Sequence, residues 1–257
     1  MAETGSQNGG EGHGPLQQFE IAPLFGGDTQ DLAFYSFTNS SLFMVIGILA
    51  VTLTLSLGVR RAQLVPTRLQ SLAEISYEFI ANMIRDNVGT EGRKYFGFIF
   101  TLFMFVFAGN MLGMIPYSFT YTSHIVVTFI MAAVVFVGVT VIGFMKHGLK
   151  FFGFFLPNDV PIFLAPLLIP IEVLSYFTRP VSLALRLFAN MTAGHTMLKV
   201  FASFVAPLGG ATFIIGGAIP LALVTALTGL EFIIAFLQAY VFTILSCVYL
   251  HDALHMH

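Results

Sequence analysis

The chain has 257 residues, of which 56% are apolar and only 9% charged, and its mean hydropathy is +0.86. A soluble domain carries about 25% charged residues, so this composition excludes a soluble globule and predicts a surface that largely faces lipid. The net charge is −2, and the sequence shows no basic pattern that would predict a nucleic-acid partner.

The first 35 residues differ in composition from the rest of the chain. They carry five acidic residues and no Lys or Arg. Because no basic region precedes an apolar run, they do not resemble a cleaved signal peptide, and they are typical of a partly disordered tail. We expect one membrane domain at 36–257, in which the lone Cys247 cannot form an intramolecular disulfide.

Three apolar segments that follow the tail have the length of a transmembrane helix, about 20 residues. They lie at 42–59, 95–117 and 125–145. Six Lys and Arg residues lie between the first two segments, and Lys146 and Lys150 follow the third. The positive-inside rule therefore predicts that these basic connections are cytoplasmic.

Residues 66–88 separate the first two spans and have a different pattern. Apolar residues recur at helical spacing among charged ones, which predicts an amphipathic helix too polar to cross a bilayer. We expect this helix to lie along the cytoplasmic membrane surface. The alternative is a helix that packs on a partner subunit.

For the last third of the chain we predict two long, tilted helices that form a hairpin, at about 161–198 and 212–251. Turn-forming residues cluster around Gly209 and Gly210 between them. Prolines inside the helices are expected to bend them. The predicted fold class is therefore an all-α membrane protein, with transmembrane helices, a surface amphipathic helix and this hairpin.

The first hairpin helix carries a continuous polar stripe, although ionisable groups at membrane depth cost roughly 2.5–3.5 kcal/mol each. Spacings of three and four residues place its members on one helix face: Glu172, Ser175, Arg179, Ser182, Arg186 and Asn190. His195 lies nine residues after Arg186, on the opposite side of the helix. The second hairpin helix carries Thr228, Glu231 and Gln238 on one face, so Glu231 is expected to face His195.

Each of these residues has a structural alternative. Glu172 and Arg179 could form a stabilising ion pair, and His195 alone could be a buried core histidine. Opposite Glu231, His195 becomes a candidate member of a proton relay. Arg186 has no acidic residue at helical pairing distance, so its counter-charge is expected on another chain.

Two further patterns are weak evidence for a functional site or a specific contact, and we discount them. Gly109 and Gly113 match a GxxxG helix-contact pattern, and Asn110 between them is expected to bond another helix. Three histidines near the C-terminus have metal-like spacing, but we predict a frayed tail and no metal site: His251, His255 and His257.

The run Arg186-Leu-Phe-Ala-Asn190-Met-Thr-Ala-Gly194-His195 resembles the signature of subunit a of F-type ATP synthases. Further matches are Arg179-Pro-Val-Ser182-Leu, the segment from Asn110 to Pro116, and Leu237-Gln238-Ala-Tyr-Val-Phe. The resemblance covers roughly residues 36–250. A secondary transporter or a structural scaffold is the alternative, but transporters usually show internal repeats, and this sequence has none.

The resemblance implies a proton-translocating stator subunit whose hairpin faces a rotor ring of c subunits, with peripheral-stalk b subunits and the rest of the complex as further partners. It implies that Arg186 is the rotor-facing charge barrier and that Asn190 and Gln238 lie near it. His195 and Glu231 would line the outer half-channel and Glu172 the cytoplasmic one. Arg179, Ser182 and Asn110 would be structural.

The sequence departs from one common form of the family at His195 and Glu231. One common bacterial arrangement has Glu at the His195 position and His at the Glu231 position, and the exchange here resembles many mitochondrial and related bacterial forms. The sequence has no Walker-type loop, so we expect no nucleotide site, no catalytic site and no cofactor. We expect the bacterial inner membrane as the location, with the mitochondrial inner membrane as the alternative.

Overall fold

The computed structural model describes residues 37–60, 63–115, 118–148, 151, 164–211 and 213–255. The predicted tail at 1–35 and the predicted start of the hairpin at 161 lie outside these residues. All elements in the described part of the chain are helical. The α-helices are α1 (Asn39–Val59), α2 (Arg68–Asn87), α3 (Phe96–Gly113), α4 (Ile125–His147), α5 (Ala165–Ala211) and α6 (Phe213–Leu254).

Five of the six helices are long and apolar enough to cross a membrane. They are α1, α3, α4, α5 and α6, and the 3-10 turn Thr90–Tyr95 extends the second crossing segment, that of α3, at its start. Large apolar side chains stay exposed along them, as expected where lipid or a partner subunit covers the helix surface. The chain is therefore an all-α membrane protein.

Helix α2 is not among the candidate crossing helices, because charged and polar residues lie among its apolar ones. Thr67 caps its start by accepting a hydrogen bond from the backbone N–H of Gln70. One face, which includes Ile80 and Ile84, is buried against the other helices of the chain. Leu72 and Ile75 remain exposed on the other side. The predicted contact of this helix with the membrane surface stays a prediction.

Helix α5 continues past the predicted end near residue 198 to Ala211. Pro207 lies inside it, and only position 212 separates it from α6. A proline is tolerated in such a helix because the neighbouring membrane helices and local adjustments satisfy the freed backbone groups. The turn signals at Gly209 and Gly210 therefore fall in the last turn of α5.

Helices α5 and α6 pack against each other and against α3 and α4 around one apolar core. Leu183 and Leu187 of α5 are almost completely buried, as are Ala235, Ala239 and Phe242 of α6. The two alanines present a small surface, so the helices can approach closely. This packing brings the polar faces of the hairpin helices within reach of each other.

Residues 119–123, in the connection between α3 and α4, are buried in the helix bundle. Tyr121 is fully buried and donates a hydrogen bond to the Phe105 carbonyl at 2.8 Å. A Cβ at Gly109 would lie 2.5 Å from the Tyr121 ring, and one at Gly113 would overlap the Thr120 side chain. The GxxxG pattern of these two glycines was only a weak signal for a helix contact, and in the structure they form the seat of this connection.

The two ends of the bundle are chemically different. At one end, the Lys146 ammonium pairs with the Glu91 carboxylate, and His147 Nε2 lies 3.3 Å from the Leu254 carbonyl. These contacts place the end of α6 beside the end of α4. The buried 118–123 connection lies at the other end, so the hairpin spans the distance between the two.

Candidate functional site

His195 and Glu231 meet across the hairpin. The Nδ1 atom of His195 lies 3.9 Å from Oε2 of Glu231, and the two side chains are only 11% and 10% exposed. On its other side, Nε2 of His195 lies 3.3 Å from the Thr120 hydroxyl. The predicted facing of His195 and Glu231 is therefore seen, and a third polar group completes a buried line from the 118–123 connection to α6.

Gly194 makes room for the Glu231 carboxylate. A Cβ at this position would lie 2.8 Å from Oε1 of Glu231, which is closer than real Cβ contacts allow. The missing side chain lets the carboxylate approach the backbone of α5 beside His195. Glu231 itself is 8% exposed and has no hydrogen bond to another side chain in the described part of the protein.

Arg186 lies on the outer surface of α5, where its residue is exposed. It forms no ion pair with any residue that the structure describes. One turn later, the Asn190 amide donates a 2.7 Å hydrogen bond to the Gln238 side chain of α6. Gln238 is 2% exposed, so this bond ties the exposed polar face of α5 to the interior of the hairpin.

Arg179 pairs with Asp252 near the end of α6. Its Nη1 lies 2.8 Å from Oδ2 of Asp252, and its guanidinium lies over the rings of Tyr176 and Tyr249 at 5.8 and 5.4 Å. The suggested ion pair with Glu172 is therefore wrong. Seven helical residues separate Glu172 from Arg179 by about 10 Å along the axis, and α6 supplies a closer acid, Asp252.

The other two residues predicted to be structural, Ser182 and Asn110, both form hydrogen bonds. Ser182 donates to the Arg179 carbonyl of its own helix at 3.0 Å. Asn110 is completely buried and donates to the Ala235 carbonyl at 3.0 Å, so the predicted helix–helix bond is confirmed. Its oxygen accepts a 2.8 Å bond from Thr122. Asn110 therefore joins α3, α6 and the 118–123 connection.

The polar residues of α5 occupy three levels along its axis. Glu172 lies fourteen residues before Arg186, about 21 Å along the helix, and His195 lies nine residues after it, about 14 Å. Glu172 is near the end that carries Lys146, and His195 is near the buried connection. Glu172 therefore lies on one side of the Arg186 guanidinium along the helix, and His195 lies on the other.

The sequence was compared with protein families and with curated proteins. The family described as ATP synthase A chain matches residues 41–251. The chain is 61% identical to ATP synthase subunit a of Paramagnetospirillum magneticum, over 95% of this chain and 99% of that protein. It is 57% identical to ATP synthase subunit a of Rhodospirillum rubrum, over 95% and 100%.

The chain belongs to the ATP synthase A chain family. The resemblance found in the sequence is confirmed, and the protein is a proton-translocating subunit of the membrane sector of an F-type ATP synthase. It associates with the rest of that complex. Both of these relatives are bacterial proteins, and the five apolar helices of the chain make it a multi-pass membrane protein.

Sequence reasoning missed four residues of this site. Thr120 and Thr122 lie between the predicted spans 95–117 and 125–145, in a segment with no pattern that pointed to His195. Gly194 was not identified as the residue that makes room for a carboxylate. Asp252 is the one acidic residue after Glu231 in the sequence, which is a signal that could have identified it as a partner for a basic group.

The predicted frayed tail is wrong for two of the three C-terminal histidines. His251 lies inside α6, and its ring stacks on that of His255 at 4.7 Å. His257 lies outside the described residues. In the part of the chain that the structure describes, no group of three or more His, Cys, Asp or Glu side chains could hold a metal ion.

Proposed function

We propose that this subunit carries protons through two offset half-channels that meet a rotor ring at Arg186. His195 and Glu231 line the half-channel open to the outside, and Glu172 lines the one open to the cytoplasm. Each rotor subunit presents a carboxylate to Arg186 as the ring turns. The subunit has no catalytic site of its own, and ATP forms elsewhere in the complex.

The exposure of Arg186 is the observation that carries the proposal. A guanidinium on the membrane-facing surface of a helix is costly, and Arg186 has no acidic partner among the residues that the structure describes. A carboxylate from a second chain would remove this cost. The ring of c subunits is the partner proposed to supply it, and b subunits of the peripheral stalk would hold the subunit in place.

The chemistry of arginine suits the role of a barrier. Its guanidinium stays protonated, with a pKa above about 12 in proteins, so a proton cannot pass through it from one half-channel to the other. Its fixed charge favours the ionised form of an approaching rotor carboxylate. Asn190 and Gln238, one turn away and bonded to each other, hold a polar surface beside it.

His195 and Glu231 suit the delivery of protons. An imidazole takes up and releases a proton near neutral pH, and a carboxylate 3.9 Å away can stabilise the charged form or receive the proton. Both side chains are largely buried, so the proton is passed away from bulk water. Each proton that crosses yields about 2.3 kcal/mol per 100 mV of membrane potential, which drives rotation.

The position of Glu172 supports a cytoplasmic half-channel that is separate from the outer one. It lies near the end of the bundle that carries Lys146, whereas His195 lies at the other end, and Arg186 stands between them on the same helix. The fixed charge of Arg186 separates the two groups along the helix, which supports two half-channels rather than one continuous path. The bacterial inner membrane is the proposed location, with the basic end of the bundle in the cytoplasm.

The test is ATP-driven acidification of inverted membrane vesicles that carry Arg186→Ala, with assembly of the complex checked on the same vesicles. We expect an assembled complex that does not acidify the vesicles. Arg85→Ala is the control, because Arg85 is also exposed but lies on α2, where its contact with Asp86 is a loose 3.8 Å. Acidification by Arg186→Ala at the rate of the control would contradict the proposed barrier.

A further inference from the structure

We infer that Thr120 is a positioning residue for proton transfer by His195. The geometry points to a hydroxyl that holds the imidazole ring in the orientation in which Nδ1 faces Glu231. This inference rests on the proposed function of His195 and Glu231, and it assigns a role to the connection between α3 and α4.

The position of Thr120 is imposed by its surroundings. The residue is 6% exposed, and its side chain fills the space left by the missing Cβ of Gly113. Its carbonyl accepts a 2.6 Å bond from the Ser123 hydroxyl, and the Ser123 carbonyl accepts a 3.1 Å bond from Thr192 of α5. The hydroxyl of Thr120 is therefore fixed relative to the helix that carries His195.

Each ring nitrogen of His195 faces a different neighbour, Thr120 or Glu231. Nε2 lies 3.3 Å from the Thr120 hydroxyl, and Nδ1 lies 3.9 Å from the Glu231 carboxylate. Rotation of the ring by half a turn would put the carbons Cδ2 and Cε1 where Nδ1 and Nε2 now lie, and both contacts would be lost. A partner on Nε2 opposes that rotation, as partners of histidine do in other proton-transfer sites.

A hydroxyl is suited to a histidine that changes its protonation state. It can donate to a bare Nε2 and accept from a protonated Nε2, so the bond survives both states of the ring. A carboxylate could only accept, and an ammonium could only donate. Thr120 can therefore hold His195 throughout a transfer cycle without binding the proton itself.

The charged groups around His195 come from only two helices in the described part of the chain. Glu231 faces it from α6, and Lys199 lies one turn further along α5. The buried connection brings Thr120 and, four residues later, the imidazole of His124. Among these four groups, the Thr120 hydroxyl is the one within hydrogen-bond distance of Nε2.

A simpler reading is that Thr120 only fills the space beside Gly113. Three variants separate the two readings in inverted vesicles that contain the whole complex. Thr120→Val keeps the shape and removes the hydroxyl, and Thr120→Ser keeps the hydroxyl and removes the methyl group. Thr128→Val is the control, because Thr128 is also buried but its hydroxyl bonds only to carbonyls of its own segment, those of His124 and Ile125.

We expect ATP-driven acidification to fall about three- to tenfold in Thr120→Val, the size of effect that one hydrogen bond exerts on a rate. Thr120→Ser and Thr128→Val are expected to acidify at close to the unmodified rate, with equal assembly in all vesicles. Gly113→Ala, whose new methyl group displaces the Thr120 side chain, should act like Thr120→Val. If Thr120→Val fails to assemble, Thr120→Ala takes its place.

His195→Ala in the same assay separates the possible failures. Equal losses in Thr120→Val and Thr120→Ser would show that the side chain only packs, and the inference would be overturned. A normal rate in Thr120→Val beside a large loss in His195→Ala would overturn the inference and leave the proposed function standing. A normal rate in His195→Ala would overturn the proposed function of His195 and the inference with it.

Discussion

His195 of α5 and Glu231 of α6 lie with Nδ1 and Oε2 3.9 Å apart, although 36 positions separate them in the chain. The separation is slightly longer than a direct hydrogen bond, so a small movement of either side chain makes or breaks the contact. A pair of this kind can pass a proton without holding it permanently. The geometry depends on Gly194, which allows Glu231 to approach α5.

Gly194→Ala is therefore expected to disturb proton transfer. The new Cβ would lie 2.8 Å from Oε1 of Glu231, so the carboxylate must move away. A displacement of about 1 Å in a reacting group can slow a reaction about a hundredfold, and we expect ATP-driven acidification to fall about ten- to hundredfold. Gly138→Ala is the matched control, because nothing lies within 4 Å of a Cβ at that helical position. Equal acidification by both variants would contradict the role of Gly194.

The buried bond between Asn110 and Thr122 is expected to stabilise the fold of the connection. Asn110→Leu leaves the fully buried Thr122 hydroxyl without its acceptor, and such a loss costs about 1–3 kcal/mol. Adding Thr122→Val removes the unsatisfied hydroxyl, so the double variant should be more stable than Asn110→Leu alone. Thermal unfolding of the purified complex in detergent measures the difference. Simple addition of the two losses would mean that the bond has no energetic role.

Asp252, rather than Glu172, is expected to stabilise Arg179. Both partners of the Arg179–Asp252 pair are partly exposed, with side chains 24% and 32% accessible, so the pair contributes about 1 kcal/mol or less. Asp252→Asn should lower the unfolding temperature, because it removes the carboxylate that the Arg179 guanidinium contacts. Glu172→Gln is the control, because Glu172 has no ion pair with a described residue, and its unfolding temperature should stay unchanged. A larger loss in the control would restore the pair predicted from the sequence.

The stability of the connection is expected to depend on pH through His124. Burial lowers the pKa of His124 below its ordinary value of 6.5, and its ring stacks on Phe119 with centroids 4.9 Å apart. The unfolded chain therefore binds a proton at a higher pH than the folded protein does. Stability from this residue is present above pH 6.5 and is lost as the pH falls below that value.

The comparison variant is His124→Phe, which keeps an aromatic ring beside Phe119 and removes the titrating group. Unfolding temperatures measured between about pH 5 and pH 8 should fall less steeply towards acid pH in the variant than in the unmodified protein. Other groups titrate in both proteins, so the difference between the two curves reports on His124. Parallel curves would show that this imidazole is not a source of the pH dependence.

Much of this protein could be predicted from local sequence features. Apolar runs of spanning length identified α1, α3 and α4, because backbone polar groups in lipid can be satisfied only within a helix or a closed barrel. Spacings of three and four residues placed Arg186 and Asn190 on one face of α5, and nine residues placed His195 on the other. These features depend on the helix period alone, which is the same wherever the helix lies.

Contacts between distant segments could not be predicted in the same way. Spacing along α5 suggested that Glu172 could pair with Arg179, whereas the approach of α6 supplies Asp252 at 2.8 Å. The pattern at Gly109 and Gly113 was compatible with a helix contact, and only the folded chain shows a connection seated there. A residue pattern specifies which face is small or polar, but not which neighbour packs on it.

The sequence by itself determined the membrane class, the helical architecture, the family and the facing of His195 and Glu231. Each of these follows from composition, helix period or a specific motif. Only the tertiary structure decided that Thr120 meets His195, that Gly194 admits Glu231 and that Asn110 joins two helices to the buried connection. The physical reason is that these contacts arise from close packing between segments far apart in the chain, where single missing methyl groups determine which atoms can meet.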